Sequence, residues 1–158
     1  MKIIISLLVV TVLYLQANEN KQQNLKVIET DDKVLVLGSF MWQDEPYTYF
    51  ERQARYDGKN YEKARTWESA IGYCKKLSLA GYSDWRLPSK SELSSIVDKS
   101  RQPTIKEEFK NILANFYWSS TTHESFSEDA WFVRYSNGIA NHTYKSRSHF
   151  VRWIREIQ

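Results

Sequence analysis

The sequence has 158 residues and one cysteine, Cys74, so no internal disulfide can close, and no CxxC or clustered Cys/His spacing is present for structural zinc. Stability has to come from packing. Glycine and proline are scarce, at 5 and 3, which excludes a collagen-like chain and a Pro/Gly-rich disordered one. Charge of one sign is missing as well. The 22 Lys+Arg stand against 19 Asp+Glu, and a net charge of +3 lacks the strong basic field of a nucleic-acid binder. The longest apolar run, Ile3 to Leu15, is broken only by Ser6 and Thr11 but falls short of the ~20 residues a membrane-spanning helix needs.

What is present is a 42% hydrophobic content, 15% aromatic residues and 6 tryptophans, enough for one aromatic-cored domain and too little for two. Met1-Lys2, the apolar run and the polar stretch Gln16 to Asn20 have the layout of a signal peptide, with Ala17 as the small residue at the cleavage edge. Residues 1–17 are therefore expected to be removed, an uncleaved anchor being the alternative and the chain's one route to a membrane. No cysteine follows the run to carry a lipid. The expected destination is the periplasm, or the secreted or cell-surface space beyond it. Residues 18–32 are polar and aperiodic and read as a linker, leaving 33–158 as the domain.

Within that domain the pattern reads as α+β. Lys33 to Trp42 is apolar and β-branched, a buried strand with Gly38 as a bend or bulge, and residues 43–65 read as a long loop. Thr66 can cap a helix whose stripe is Trp67, Ala70, Ile71, Cys74 and Leu77. Ser89 and Glu92 form a capping box for a second helix burying Leu93, Ile96 and Val97. From Phe116 onward short strands follow: 116–120, 130–135, an Asn137-Gly138 turn, 139–144 and 150–157. The expected architecture is two helices packed on short, mostly antiparallel strands, with a C-terminal hairpin.

Several blocks then carry a resemblance. Thr66-Trp67-Glu68-Ser69-Ala70-Ile71-Gly72-Tyr73-Cys74, Gly81-Tyr82-Ser83-Asp84-Trp85-Arg86-Leu87-Pro88-Ser89, Tyr117-Trp118-Ser119-Ser120-Thr121, Ala130-Trp131-Phe132-Val133 and Val151-Arg152-Trp153-Ile154-Arg155 occur in order, opened by Met41-Trp42-Gln43. Together they resemble the Lcl C-terminal domain family over roughly residues 34–155. The resemblance implies an exported bacterial domain of C-type-lectin-like shape, related in fold to formylglycine-generating enzymes. Its best-understood members are adhesin modules that bind sulfated polysaccharides, and no catalytic activity is generally assigned to them. At Trp153 the chain departs from the family, which usually has a cysteine expected to pair with the one matching Cys74. An indole filling that site is the expected replacement for a bridge that would contribute ~2–4 kcal/mol.

Residue by residue, plain structural roles compete with chemical ones. Trp42, Trp67, Trp85, Trp118, Trp131 and Trp153 each lie in or beside a regular element, so core packing is expected ahead of sugar stacking. Arg86, just before Leu87-Pro88, is expected to tie the inter-helix loop to carbonyl groups or to Asp84. Ser119, Ser120 and Thr121 are strand-end hydroxyls that satisfy backbone groups, since no Ser–His–Asp order is defensible. Cys74, on an apolar stripe, reads as an inert thiol. His123, Glu124, Glu128 and Asp129 cluster between strands, but without calcium-loop spacing or the EPN, QPD or WND triplets of calcium-dependent lectins they read as a solvated acidic loop. No metal, cofactor or nucleic acid is expected.

The binding candidates are basic. The segment from Tyr144 to Arg155 carries Lys145, Arg147, Arg152 and Arg155 and no carboxylate. If its first half is extended, Lys145, Arg147 and His149 project from one face and can grip sulfate or carboxylate groups, while a solvated edge that deters strand pairing is the alternative. Arg152 and Arg155 read as structural. These features point to an exported, non-enzymatic module that binds an anionic, sulfated polysaccharide or a surface partner. An envelope assembly protein docking through the aromatic 43–65 loop (Tyr47, Tyr49, Phe50, Tyr56, Tyr61) is the second reading. An oxidase of the formylglycine-generating type is the weakest, because its chemistry resembles a paired-cysteine copper site that one cysteine cannot supply. Oligomeric state leaves no mark in the sequence.

Overall fold

The computed structural model describes residues 33–57 and 59–157, so the signal-peptide and linker assignments for 1–17 and 18–32 lie outside the described residues. Described elements run β1 (Val34–Leu37), β2 (Phe40–Gln43), α1 (Tyr49–Asp57), β3 (Ala64–Thr66), α2 (Trp67–Cys74), α3 (Lys90–Ser95), β4 (Phe116–Thr122), β5 (Asp129–Arg134), β6 (Ile139–Tyr144), β7 (Ser148–Phe150) and β8 (Ile154–Glu156). They form a three-stranded sheet in the order β1-β2-β8 and a five-stranded sheet in the order β3-β7-β4-β5-β6. Every strand pairing is antiparallel except β4 with β7. The protein is an α+β domain.

The middle of β4 and of β5 is buried on both faces. Trp118 of β4 and Phe132 of β5 enter one core cluster with Cys74, Trp85 and Trp153. Their neighbours Tyr117 and Val133 enter a second with Trp42, Leu93, Ile96, Tyr135 and Phe150. The side-chain period of two sends successive residues to opposite faces, so the pairs Tyr117-Trp118 and Phe132-Val133, which lie between the two cores, are apolar in both positions.

Several expectations are corrected. The single strand over 33–42 is a hairpin, because Gly38 adopts φ +61° and reverses the chain rather than bending it. The long loop over 43–65 contains α1 and most of β3, giving three helices among the described residues where two were expected. Its overlooked signal is a second capping box: the Glu51 N–H donates to Thr48 Oγ1 at 3.2 Å, and the Thr48 N–H donates to Glu51 Oε2 at 2.8 Å. The strand over 150–157 is split. Val151, Arg152 and Trp153 are all buried in succession, so the chain leaves one sheet after Phe150 and joins the other at Ile154.

Three arginines pin the ends together. Arg152 is fully buried; one guanidinium nitrogen donates to Asp44 Oδ1 at 2.8 Å and to the Gln43 carbonyl, and the other donates to the Asn111 carbonyl. Arg86 does not take Asp84. It forks onto Glu92 with two 2.8 Å bonds and reaches Glu156 at 3.4 Å, while Arg155 holds Asp84 at 2.7 and 3.1 Å. The Arg86 backbone also exchanges hydrogen bonds with Ile154, which fixes the Asp84 to Pro88 loop against β8. Trp153 is fully buried, stacks on Tyr73 with ring centroids 5.7 Å apart, and shares its cluster with Cys74.

Candidate functional site

The basic ridge does not form as the sequence suggested. Strand β6 ends at Tyr144, Lys145 and Ser146 make a turn, and β7 begins at Ser148, so Lys145, Arg147 and His149 do not share one extended face. Aromatic packing decides where the half-buried His149 goes. Its ring packs against Phe116, Trp118 and Phe132 at centroid distances of 5.3, 4.4 and 5.2 Å, with Nδ1 2.7 Å from the Ser148 carbonyl. Three aromatic neighbours remove far more apolar surface from water than an exposed strand position would. Arg147 stays exposed, and Lys145 sits with Nζ 4.4 Å over the ring of Trp67.

Four of the six tryptophans are core: Trp42, Trp85, Trp118 and Trp153 are each at most 3% exposed. Trp67 and Trp131 are half-buried, and each carries a lysine over its indole, Lys90 Nζ standing 3.1 Å from the Trp131 centroid. Ser119 joins the two. The Trp67 indole N–H donates to the Ser119 carbonyl at 2.8 Å, and the Ser119 hydroxyl donates to the Trp131 carbonyl at 2.8 Å. Thr121 Oγ1 accepts the Lys90 backbone N–H at 3.0 Å, and the Ser120 N–H donates to the Pro88 carbonyl. The Ser119 and Thr121 hydroxyls and the Ser120 amide are spent on the backbone, and they hold two lysine-capped indoles on either side of β4.

The acidic loop is solvent-exposed over 124–128, as expected, and is closed by backbone hydrogen bonds. Between β4 and β5, the His123 N–H donates to the Asp129 carbonyl and the Asp129 N–H to the Phe126 carbonyl, closing a compact turn. His123 stacks on Trp131 at 5.1 Å and lies 4.0 Å from the ring of His142 on β6. Its own backbone amide and the Trp131 indole N–H hold the Glu124 carboxyl below its ordinary pKa. Under the turn lies a depression of about 480 Å³ lined by Ser125 to Asp129, His142 and Tyr144. Sequence reasoning missed His142 and Tyr144; the signal was the hairpin register, which sets Tyr144 opposite Asp129 and His142 opposite Trp131. Among the described residues no group of three or more His, Cys, Asp or Glu side chains is placed to hold a metal ion. Cys74 is buried, and desolvation raises its thiol pKa, which suppresses the reactive thiolate.

At the far side of the fold, α1 leaves Tyr49, Phe50 and Tyr56 exposed at 70, 63 and 82%, whereas Tyr47 is buried and Tyr61 stacks under Phe50. The aromatic 43–65 segment is thus part core and part surface. No described helix is long and apolar enough to cross a membrane.

A family model described as the Lcl C-terminal domain matches residues 36–155. No curated protein matches the chain.

Proposed function

We propose that this chain, which belongs to the Lcl C-terminal domain family, is an exported, non-enzymatic binding module of C-type-lectin-like shape whose ligand is an anionic, sulfated polysaccharide. The observation that carries this reading is the pair of half-buried indoles, Trp67 and Trp131, each with a lysine ammonium held over it and linked through Ser119. Each ammonium is held on an indole face as a fixed point charge for a sulfate, and the uncovered part of the indole offers apolar surface to the sugar ring. Exposed Arg147, in the turn after Lys145, adds a fork that can take a sulfate through two hydrogen bonds. His149, half-buried against Phe116, Trp118 and Phe132, takes no part. The absence of a partner for Cys74 argues against paired-cysteine oxidase chemistry, and the N-terminal apolar run supports a periplasmic, secreted or surface location.

Retention on heparin or dextran sulfate, read against rising salt, tests the reading. Wild-type protein is expected to be retained and to elute with salt, because exposed charge contacts are screened. Replacing Lys145→Ser and Arg147→Ser together is expected to abolish most of that retention; unchanged elution of the double variant refutes the site, and no retention of the wild type refutes the ligand class. The exposed Tyr49, Phe50 and Tyr56 patch favours a second reading, docking of an envelope protein, which a pull-down lost on Tyr56→Ser would support.

A further inference from the structure

The depression under the β4–β5 turn has a chemistry opposite to that of the lysine-capped indoles. No lysine or arginine side chain lines it, although the chain as a whole carries a net charge of +3. Its lining holds two carboxylates, Glu128 and Asp129, between aromatic walls. Phe126 and Tyr144 stand 56 and 62% exposed, and the Phe126 ring stacks on His142 at 5.6 Å. Lys145 is next in sequence to Tyr144, yet its ammonium lies over Trp67 and only its backbone N–H comes to the turn, donating to the Glu128 carbonyl at 2.8 Å.

Asp129 supplies a second, independent observation. It is only 9% exposed and its Oδ2 pairs with His142 Nδ1 at 2.7 Å, while its Oδ1 is buried with no hydrogen-bond donor. That oxygen is closed off from solvent, so Asp129 lends the depression its charge, and the carboxylate within reach of a ligand N–H is the exposed Glu128. Aromatic faces beside carboxylates are the surroundings in which a protonated amine is held most strongly, by charge-assisted hydrogen bonds and by attraction to the ring faces. A volume of about 480 Å³ accommodates one sugar ring or one long side chain.

We infer that this depression binds an organic ammonium group, with its N–H bonds directed at Glu128, its charge facing Asp129 and its carbon skeleton against Phe126 and Tyr144. An amino sugar and the lysine side chain of a partner protein share this chemistry. The site adjoins one lysine-capped indole through the Trp131–His142 contact but takes a ligand of the opposite charge, so it stands or falls independently of the sulfated-glycan reading.

The test is amide chemical-shift titration of the purified protein with glucosamine and with Nα-acetyl-lysine methylamide, each beside its N-acetylated counterpart, in which the amine carries no charge. Saturable shifts at Glu128, Asp129, His142 and Tyr144 are expected with at least one free amine and with neither acetylated form. Whichever amine binds more tightly identifies the source, sugar or side chain. Glu128 is exposed, so Glu128→Gln is expected to keep the fold and weaken binding roughly tenfold, with Tyr144→Ala behaving alike. The proposal is overturned if neither amine shifts these residues, if the acetylated forms bind as well, or if both variants leave Kd unchanged. Heparin retention, which does not use Glu128, is expected to survive Glu128→Gln.

Discussion

Replacing Glu92 by glutamine isolates one ion pair from the helix cap that shares its side chain. Glu92 Oε2 accepts both the Ser89 backbone N–H at 2.7 Å and one arm of the Arg86 fork. Glutamine at this position of a capping box still accepts the backbone N–H, so Glu92→Gln removes the charge and keeps the cap. Arg86 and the Ser89 amide hold the Glu92 pKa down to about 2 from an ordinary 4.5. At ~1.4 kcal/mol per pKa unit that depression would correspond to about 3 kcal/mol as an upper bound. The Arg86 side chain is 39% exposed, and solvent screening reduces the expected contribution to about 1–2 kcal/mol.

The sign follows from linkage. A carboxyl whose pKa is lower in the folded state stabilises the fold above its unfolded pKa and loses that contribution as pH falls toward its folded pKa. Urea denaturation of wild type and Glu92→Gln should therefore differ by about 1–2 kcal/mol at pH 7, and the gap should narrow as pH drops from about 4.5 toward about 2. A gap of the same size at both ends of that range would show that the loss is steric rather than ionic. No gap at neutral pH would refute the pairing itself.

Two further perturbations address the core. Gly138→Ala places a Cβ 2.7 Å from Val97 Cγ1 at a backbone φ of +68°, so a loss of about 1–2 kcal/mol is expected from left-handed strain alone. An unchanged thermal midpoint would contradict that geometry. Asp44→Asn leaves the buried Arg152 guanidinium without its carboxylate, which is expected to cost about 3–5 kcal/mol, much of a small domain's stability. A loss below about 1 kcal/mol in chemical denaturation would mean that the Gln43 and Asn111 carbonyls suffice to hold the charge.

The sequence by itself determined the elements whose signals are local. The Ser89 to Glu92 capping box and the Asn137-Gly138 turn appear where the residues call for them, because both depend on hydrogen bonds and φ preferences spanning a few residues. The ordered tryptophan blocks were enough to mark the family and to send most of the indoles to the core. Tertiary structure decided what depends on contacts distant in sequence. Arg86 takes Glu92 rather than Asp84 because Arg155 arrives from β8 to claim Asp84. His149 is half-buried against Trp118 because β7 lies between β3 and β4, which no periodicity within the segment encodes. The depression at the β4–β5 turn exists only once the hairpin register sets His142 and Tyr144 opposite Trp131 and Asp129, so its residues, scattered along the chain as a loop and half a strand, become one surface only through pairing.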